Sequence, residues 1–270
     1  MSKTILITGS TDGIGLLTAR KLIEAGHTVL LHGRSQSKLE AAQKSLADVK
    51  GNTKITGYLA DLSDMDQVAT LVATIQAEHA QLDVLINNAG IYNTPVAITK
   101  DDLDIRFAVN TYAPYILTKQ LIPLLGNEGR VVNLSSAAQA PVDLKALAGQ
   151  ALLTDGPAYA QSKLAITMWS RQLGLQYKDN GPMIVAVNPG SLLASKMVKE
   201  AYGIPGSDLS IGADILVRAA LSDEFATASG EYFDNDAKCF NTPHSDALNA
   251  DKRSEILRVM DETLERIVGT

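Results

Sequence analysis

The chain has 270 residues, 46% of them apolar and 20% charged, with 24 Lys and Arg against 30 Asp and Glu for a net charge of −6. That length buries a sizeable core as one domain, and the absence of a basic cluster argues against a nucleic-acid or anionic-membrane partner, because phosphate binding needs concentrated positive charge. A single cysteine, Cys239, excludes an internal disulfide framework, four scattered histidines leave no Cys/His spacing for a metal, and no apolar run reaches the ~18 residues of a membrane span.

Met1-Ser2-Lys3-Thr4 passes into Ile5-Leu6-Ile7 and at once into a glycine loop, a strand start too short for a signal-peptide core. A soluble cytoplasmic protein without a membrane partner is the expectation. Further apolar runs follow at Val29-Leu30-Leu31, Ile55 to Leu59, Val84-Leu85-Ile86, Val131 to Leu134 and Ile184 to Val187, separated by helical spacings such as Ile14, Thr18, Leu22 and Ala25. Uninterrupted β-branched strands between helices predict an α/β fold, a doubly wound parallel sheet with helices on both faces. Seven strands fit if Glu231-Tyr232-Phe233 is the last, and no linker or repeat divides residues 1–270. Gly26 reads as a left-handed cap of the first helix, and Ser63-x-x-Asp66 as a capping box opening the helix toward His79. Two stretches, 141–157 and 191–210, are long for connections. Both follow strands and so lie at the carboxyl edge, where ligands of open α/β sheets bind. They read as substrate-side loops, with a plain surface excursion as the alternative.

Thr8-Gly9-Ser10-Thr11-Asp12-Gly13-Ile14-Gly15 joins the first strand to a helix. Glycines let the backbone turn sharply and approach a pyrophosphate, and the helix start offers free N–H groups. Further along come Asn87-Asn88-Ala89-Gly90 after strand four, Asn110 in a helix, Ser135-Ser136 ending strand five, Tyr159-Ala160-Gln161-Ser162-Lys163, and Asn188-Pro189-Gly190 ending strand six. The G-x-x-x-G-x-G spacing and these motifs in this order resemble the short-chain dehydrogenase/reductase family along nearly the whole chain. The resemblance implies a Rossmann fold, a nicotinamide coenzyme and hydride transfer between a carbonyl and an alcohol. It places the coenzyme on Gly9, Ser10, Thr11, Asp12, Gly13, Ile14 and Gly15, on Asn88, Ala89 and Gly90, and on Pro189 and Gly190, with Asn87 as structural support.

In NAD readers a carboxylate about 20 residues beyond the glycine loop bonds the ribose. Here Arg34 stands there, in His32-Gly33-Arg34-Ser35. A guanidinium bonds a 2′-phosphate in fork geometry, Gly33 leaves it room and Ser35 adds a hydroxyl, so NADP(H) is favoured over NAD(H). Asp61-Leu62 matches the position where family members bond the adenine amino group. As an N-terminal acid Asp61 serves the next helix equally well.

Carbonyl reduction needs its oxygen polarised and protonated. Tyrosine has an ordinary pKa of about 10, and Lys163, one helical turn on, lies on the same face as Tyr159. Lowering the phenol by about three pH units takes about 4 kcal/mol, which a nearby ammonium and an oxidised nicotinamide supply. The resemblance also bonds Lys163 to the nicotinamide ribose and assigns the substrate oxygen to Ser136, with Ser135 as runner-up. It gives Asn110 a water that relays protons from Lys163, while a buried Asn bonding strand-four backbone explains the residue almost as well. Ser136 and Tyr159 are 23 positions apart, a wide spacing that looks like the branch containing retinol dehydrogenases, WW-domain oxidoreductases and light-dependent protochlorophyllide reductases. Where relatives bond the nicotinamide amide with a Thr, this chain offers Ser191 or Ser195.

Tyr92, Leu192, Leu193, Met197 and Tyr202 suggest an apolar pocket and a small lipophilic carbonyl or alcohol as partner. Cys239 and His244 border the cleft or, more simply, are a buried thiol and a satisfied imidazole. The apolar helices 103–125 and 158–177 build assembly faces in the family, so a homodimer or homotetramer is expected. A nucleotide-binding regulator sensing the NADPH/NADP ratio is the other reading, and the intact Ser/Tyr/Lys/Asn set argues against it.

Overall fold

The computed structural model describes residues 1–49, 55–194, 203 and 205–269. Among these, eight strands form one sheet: β1 (Thr4–Ile7), β2 (Thr28–Gly33), β3 (Thr56–Leu59), β4 (Val84–Asn87), β5 (Arg130–Leu134), β6 (Met183–Asn188), β7 (Tyr232–Asp234) and β8 (Cys239–Phe240), ordered β3-β2-β1-β4-β5-β6-β7-β8. Neighbours from β3 to β7 are parallel, and β8 returns antiparallel to β7. The eighth strand corrects the expected count of seven. Lys238 takes a left-handed φ of 59° and the chain reverses, so that the Phe240 ring meets Phe233 edge-on at 5.1 Å. Two residues are too few to show an alternation in sequence.

The strands alternate between two apolar faces, as a sheet covered on both sides requires. Leu6, Leu30, Leu85, Val131 and Ile184 point to one cluster, built with α3 (Met65–Glu78), α5 (Ala113–Leu125), α7 (Asp155–Tyr177) and α10 (Ala250–Val268). Ile5, Ile7, Val29, Leu31, Ile86, Val132 and Val185 point to the other, with α1 (Gly13–Glu24), α2 (Gln36–Leu46) and α8 (Leu209–Leu221). The short α4 (Ile105–Phe107) runs into α5 through a π-helical turn, Ala108–Tyr112, and α6 (Leu144–Leu147) and α9 (Ser245–Leu248) complete the set. Strand order reverses between β1 and β4, which opens the crevice at the carboxyl edge.

Local chemistry sets the helix ends. Gly26, at φ 86°, follows α1 and donates to the Ile23 carbonyl at 2.9 Å, as expected of a left-handed cap. At α3 the expected capping box shifts by one residue: Asp64 is the cap, accepting from the amides of Asp66 (3.1 Å) and Gln67 (3.3 Å). The Ser63 hydroxyl turns back to Asp61 at 2.7 Å. A carboxylate at a helix start gains from the macrodipole as well as the hydrogen bonds, and so displaces the hydroxyl.

The 141–157 stretch is partly folded. Its middle forms α6, Leu147 is buried with its carbonyl accepting from the Tyr112 hydroxyl at 2.9 Å, and its end is the first turn of α7. Of the 191–210 stretch, Leu193 pairs with Ser207 and α8 begins at Leu209, whereas Ser195, Met197 and Tyr202 lie outside the described residues. Among the described residues no helix is long and apolar enough to cross a membrane.

Candidate active site

The glycine loop leaves β1 with Gly9 at φ 64° and enters α1 at Gly13, φ 53°. A Cβ on Gly9 would stand 2.9 Å from the Ala89 Cα, and one on Gly15 would strike the Gly9 carbonyl and the Asn88 carboxamide. The loop is thus pressed against the segment after β4. Asn88 donates to the carbonyls of Thr8 (2.9 Å) and Gly9 (3.0 Å), and the Ala89 amide donates to Thr8 Oγ1 at 3.1 Å. Asp12 caps α1 through the Gly13 amide at 2.8 Å. The amides of Ile14 and Gly15 have no partner among the described residues, and the position a Gly13 side chain would take is open. Unpaired N–H groups at a helix start beside open space fit a pyrophosphate.

Below the loop lies a residue the sequence reading passed over. His32, in β2, is 2% exposed; its Nδ1 accepts from the Gly9 amide at 3.1 Å and its Nε2 donates to the Ala60 carbonyl at 3.1 Å. The Ser10 hydroxyl bonds the His32 backbone, accepting from its amide at 2.9 Å. Burial, only partly opposed by the Ala60 bond, lowers the imidazole to about 4, so it is neutral near pH 7. A histidine inside an apolar run carries no sign of its partner 23 residues back.

Arg34 is exposed at the end of β2, with no hydrogen bond or ion pair among the described residues. Ser35, preceding α2, shares a hydrogen bond with Ser37 at 3.1 Å. The space beside Gly33 is filled by Thr11, whose Cγ2 would stand 2.5 Å from a Cβ there; the glycine makes room for the loop rather than for a phosphate. Asp61 accepts from the Ser63 amide at 2.9 Å and Leu62 is buried.

The remaining motif residues meet where β4, β5 and β6 end. Lys163 is buried and donates from Nζ to the Leu134 carbonyl at 2.8 Å, with Nζ 5.7 Å from the Tyr159 ring centre. Burial pulls its ammonium down to about 8. Tyr159 is half-buried, and the Tyr92 ring lies 4.9 Å away, tilted by 55°. Ser135 and Ser136 part company. Ser135 is buried and bonds the Lys163 carbonyl (3.2 Å) and the Thr167 hydroxyl (2.6 Å). Ser136 is half-buried, and its hydroxyl accepts the Ala138 amide at 3.1 Å, its one hydrogen bond among the described residues. Asn110, on the π-helical turn, accepts from the Ile91 amide (2.9 Å) and donates to the Ile91 carbonyl (3.0 Å) and Ser162 Oγ (3.0 Å). Its carboxamide therefore fastens the segment after β4 to α7. Asn87 is buried and donates to Asn133 at 2.7 Å.

Beyond β6, the Pro189 carbonyl accepts from Asn235 at 2.9 Å and Gly190 takes φ 120°. Ser191 donates both its amide (2.8 Å) and its hydroxyl (2.5 Å) to Asp236, a second residue without a sequence signal. Cys239 is exposed on β8, against the expectation of a buried thiol, because the hairpin turns its edge outward. His244 caps α9 by accepting the Asp246 amide at 3.2 Å.

The family model of the short chain dehydrogenases matches residues 3–203. Human retinol dehydrogenase 13 is 31% identical over 253 residues, spanning 86% of this chain and 76% of that one. A crystal structure of an uncharacterised protein from Mycobacterium paratuberculosis superposes with a TM-score of 0.79 at 25% identity, over 97% of this chain and 93% of that one. A short chain dehydrogenase from Shigella flexneri, solved in complex with NADP, gives 0.68 at 25% identity over 87% and 97%. The chain belongs to the short chain dehydrogenase family and is an NAD(P)-linked oxidoreductase acting on alcohol and carbonyl groups.

Proposed function

We propose that the protein interconverts a lipophilic aldehyde or ketone and its alcohol with NADP(H), using Tyr159 as general acid and base. The observation that carries this reading is the placement of the Tyr159 ring beside the buried Lys163 ammonium, which is itself held by the Leu134 carbonyl at the end of β5, two residues before Ser136. The cradle of Gly9 to Gly15, with Asn88, Ala89 and Gly90 behind it, holds the pyrophosphate. Arg34 and Ser35 face the 2′-phosphate, Asp61 and Leu62 the adenine, and Pro189 and Gly190 the nicotinamide. Support for NADP(H) comes from the unpaired Arg34 and from the NADP held by the Shigella flexneri relative.

When bound, the coenzyme supplies or takes up the hydride. Ser136 donates a hydrogen bond to the carbonyl oxygen, stabilising the charge that develops there. The Tyr159 phenol gives that oxygen its proton and recovers it in the reverse direction. Lys163, lowered by burial to about 8 and so still mostly charged at pH 7, holds the phenolate at lower cost. Asn110 positions Ser162 and the Ile91 segment, and a water beside it completes the proton path. Exposed Val96, Leu152 and Leu192, on connections leaving the carboxyl ends of β4, β5 and β6, support an apolar substrate, as does the relative named for retinol. A homodimer or homotetramer belongs to the same reading, with α10 packed against part of α7.

The test is a screen of aldehydes, ketones and alcohols with NADPH and NADH, repeated with Tyr159→Phe. Turnover is expected to vanish in the variant while NADPH binding persists. Equal activity in the two proteins would refute the reading and favour a nucleotide sensor.

A further inference from the structure

The first turn of α7, one turn before Tyr159, has no side-chain cap of its own. Its cap residue Thr154 makes no side-chain cap bond, and its second residue, Gly156, is a poor helix former. The turn is held from outside. Arg106, on α4, is completely buried. Its Nε and Nη2 donate to the two carboxylate oxygens of Asp104 at 2.8 and 2.6 Å, a fork that fixes the plane of the guanidinium. Its remaining arm, Nη1, donates to Asp155, the first residue of α7. Asp155 stands one turn before Tyr159, and Arg106 one turn before Asn110. Three residues after Tyr159, Ser162 takes a bond from Asn110 Nδ2, and its carbonyl accepts from Thr111 at 3.0 Å. Tyr159 is therefore pinned between two fastenings, both made by the same irregular helix.

We propose that Arg106 and Asp155 are positioning residues for Tyr159, acting through the first turn of α7, an inference that rests on the catalytic reading of that tyrosine. Neither touches the glycine cradle. Releasing the turn displaces the phenol from Lys163 and Ser136 without disturbing coenzyme binding. A misplacement of about 1 Å costs on the order of 100-fold in rate.

Arg106 is too deeply buried for its removal to be informative, so the test uses Asp155, which is half exposed. Asp155→Ala is expected to lower kcat about 10- to 100-fold, with the NADPH dissociation constant, read from coenzyme fluorescence, unchanged. Asp155→Asn keeps an oxygen to accept the Arg106 bond and is expected to recover most of that loss. Tyr159→Phe is run alongside. If Asp155→Ala turns over like the wild type while Tyr159→Phe is dead, the clamp is wrong and the catalytic reading stands. If Asp155→Ala weakens NADPH binding as much as it slows turnover, or Asp155→Asn is no better than Asp155→Ala, the positioning role is overturned. Turnover by Tyr159→Phe would remove the underlying reading itself.

Discussion

His32 uses both ring nitrogens to tie the glycine loop to the ends of β2 and β3, and it can do so only while neutral. A second proton would set an N–H against the Gly9 amide. With the imidazole lowered from 6.5 to about 4, the unfolded chain binds the proton first as pH falls. Its contribution to stability is complete above pH 6.5 and is lost between about 6.5 and 4, a difference of about 3 kcal/mol. Urea unfolding of the wild type at pH 7 and pH 5 should show about 2 kcal/mol of this loss, and His32→Gln should flatten it; equal slopes in the two proteins would refute the assignment. Arg34 offers a second test at this scale. Losing a charge-assisted bond costs about 1.5–3 kcal/mol, so Arg34→Ala should weaken NADPH binding about 10- to 100-fold and leave NADH binding unchanged. The place of Arg34 relative to the glycine loop can be counted in the sequence, and its role in coenzyme choice awaits that test. The partners of His32 and of Asp236 are made by folding, and nothing local announces them.

α7 is tied to β5 by Ser135 and Lys163, whereas the half-buried Ser136 hydroxyl bonds only the nearby Ala138 amide among the described residues. The two serines should therefore fail differently. Ser136→Ala should reduce kcat about 100- to 1000-fold at an unchanged thermal midpoint. Ser135→Ala should cost about 1 kcal/mol in stability and spare most of the activity. The reverse pattern, read from steady-state rates and thermal melts, would exchange their roles. Long elements were readable because their periodicity persists over many residues, as in α7 and the strands from β1 to β6. The details that went astray are those that competing side chains decide. Asp64 outbids Ser63 as a cap, Thr11 takes the space beside Gly33, and β8 is too short to carry a pattern.

Across the molecule the two apolar faces of the sheet were foreseeable from the continuous β-branched strands, whereas the use of the outer helical layer was not. Ser162 to Ser170 of α7 are all buried, which the sheet alone cannot achieve for a helix. Ile256, Val259, Met260 and Leu264 of α10 belong to the same apolar cluster as Trp169 and Tyr115, whose rings meet at 5.6 Å. An apolar helix seen in sequence does not say whether a second copy or the chain's own end will cover it. Met260→Ala, at a fully buried site, should cost about 2–5 kcal/mol, measured by denaturant unfolding. A cost near zero would mean that α10 is not docked as described.

The expectations about activity meet at one place, the carboxyl edge between β1, β4 and β5. A crystal structure with bound NADPH tests it most directly. The account predicts the pyrophosphate on the amides of Ile14 and Gly15, the 2′-phosphate at Arg34, and the nicotinamide face turned toward the Ser136 and Tyr159 hydroxyls. A nicotinamide ring lying away from Tyr159, or a glycine loop without nucleotide at saturating NADPH, would contradict it.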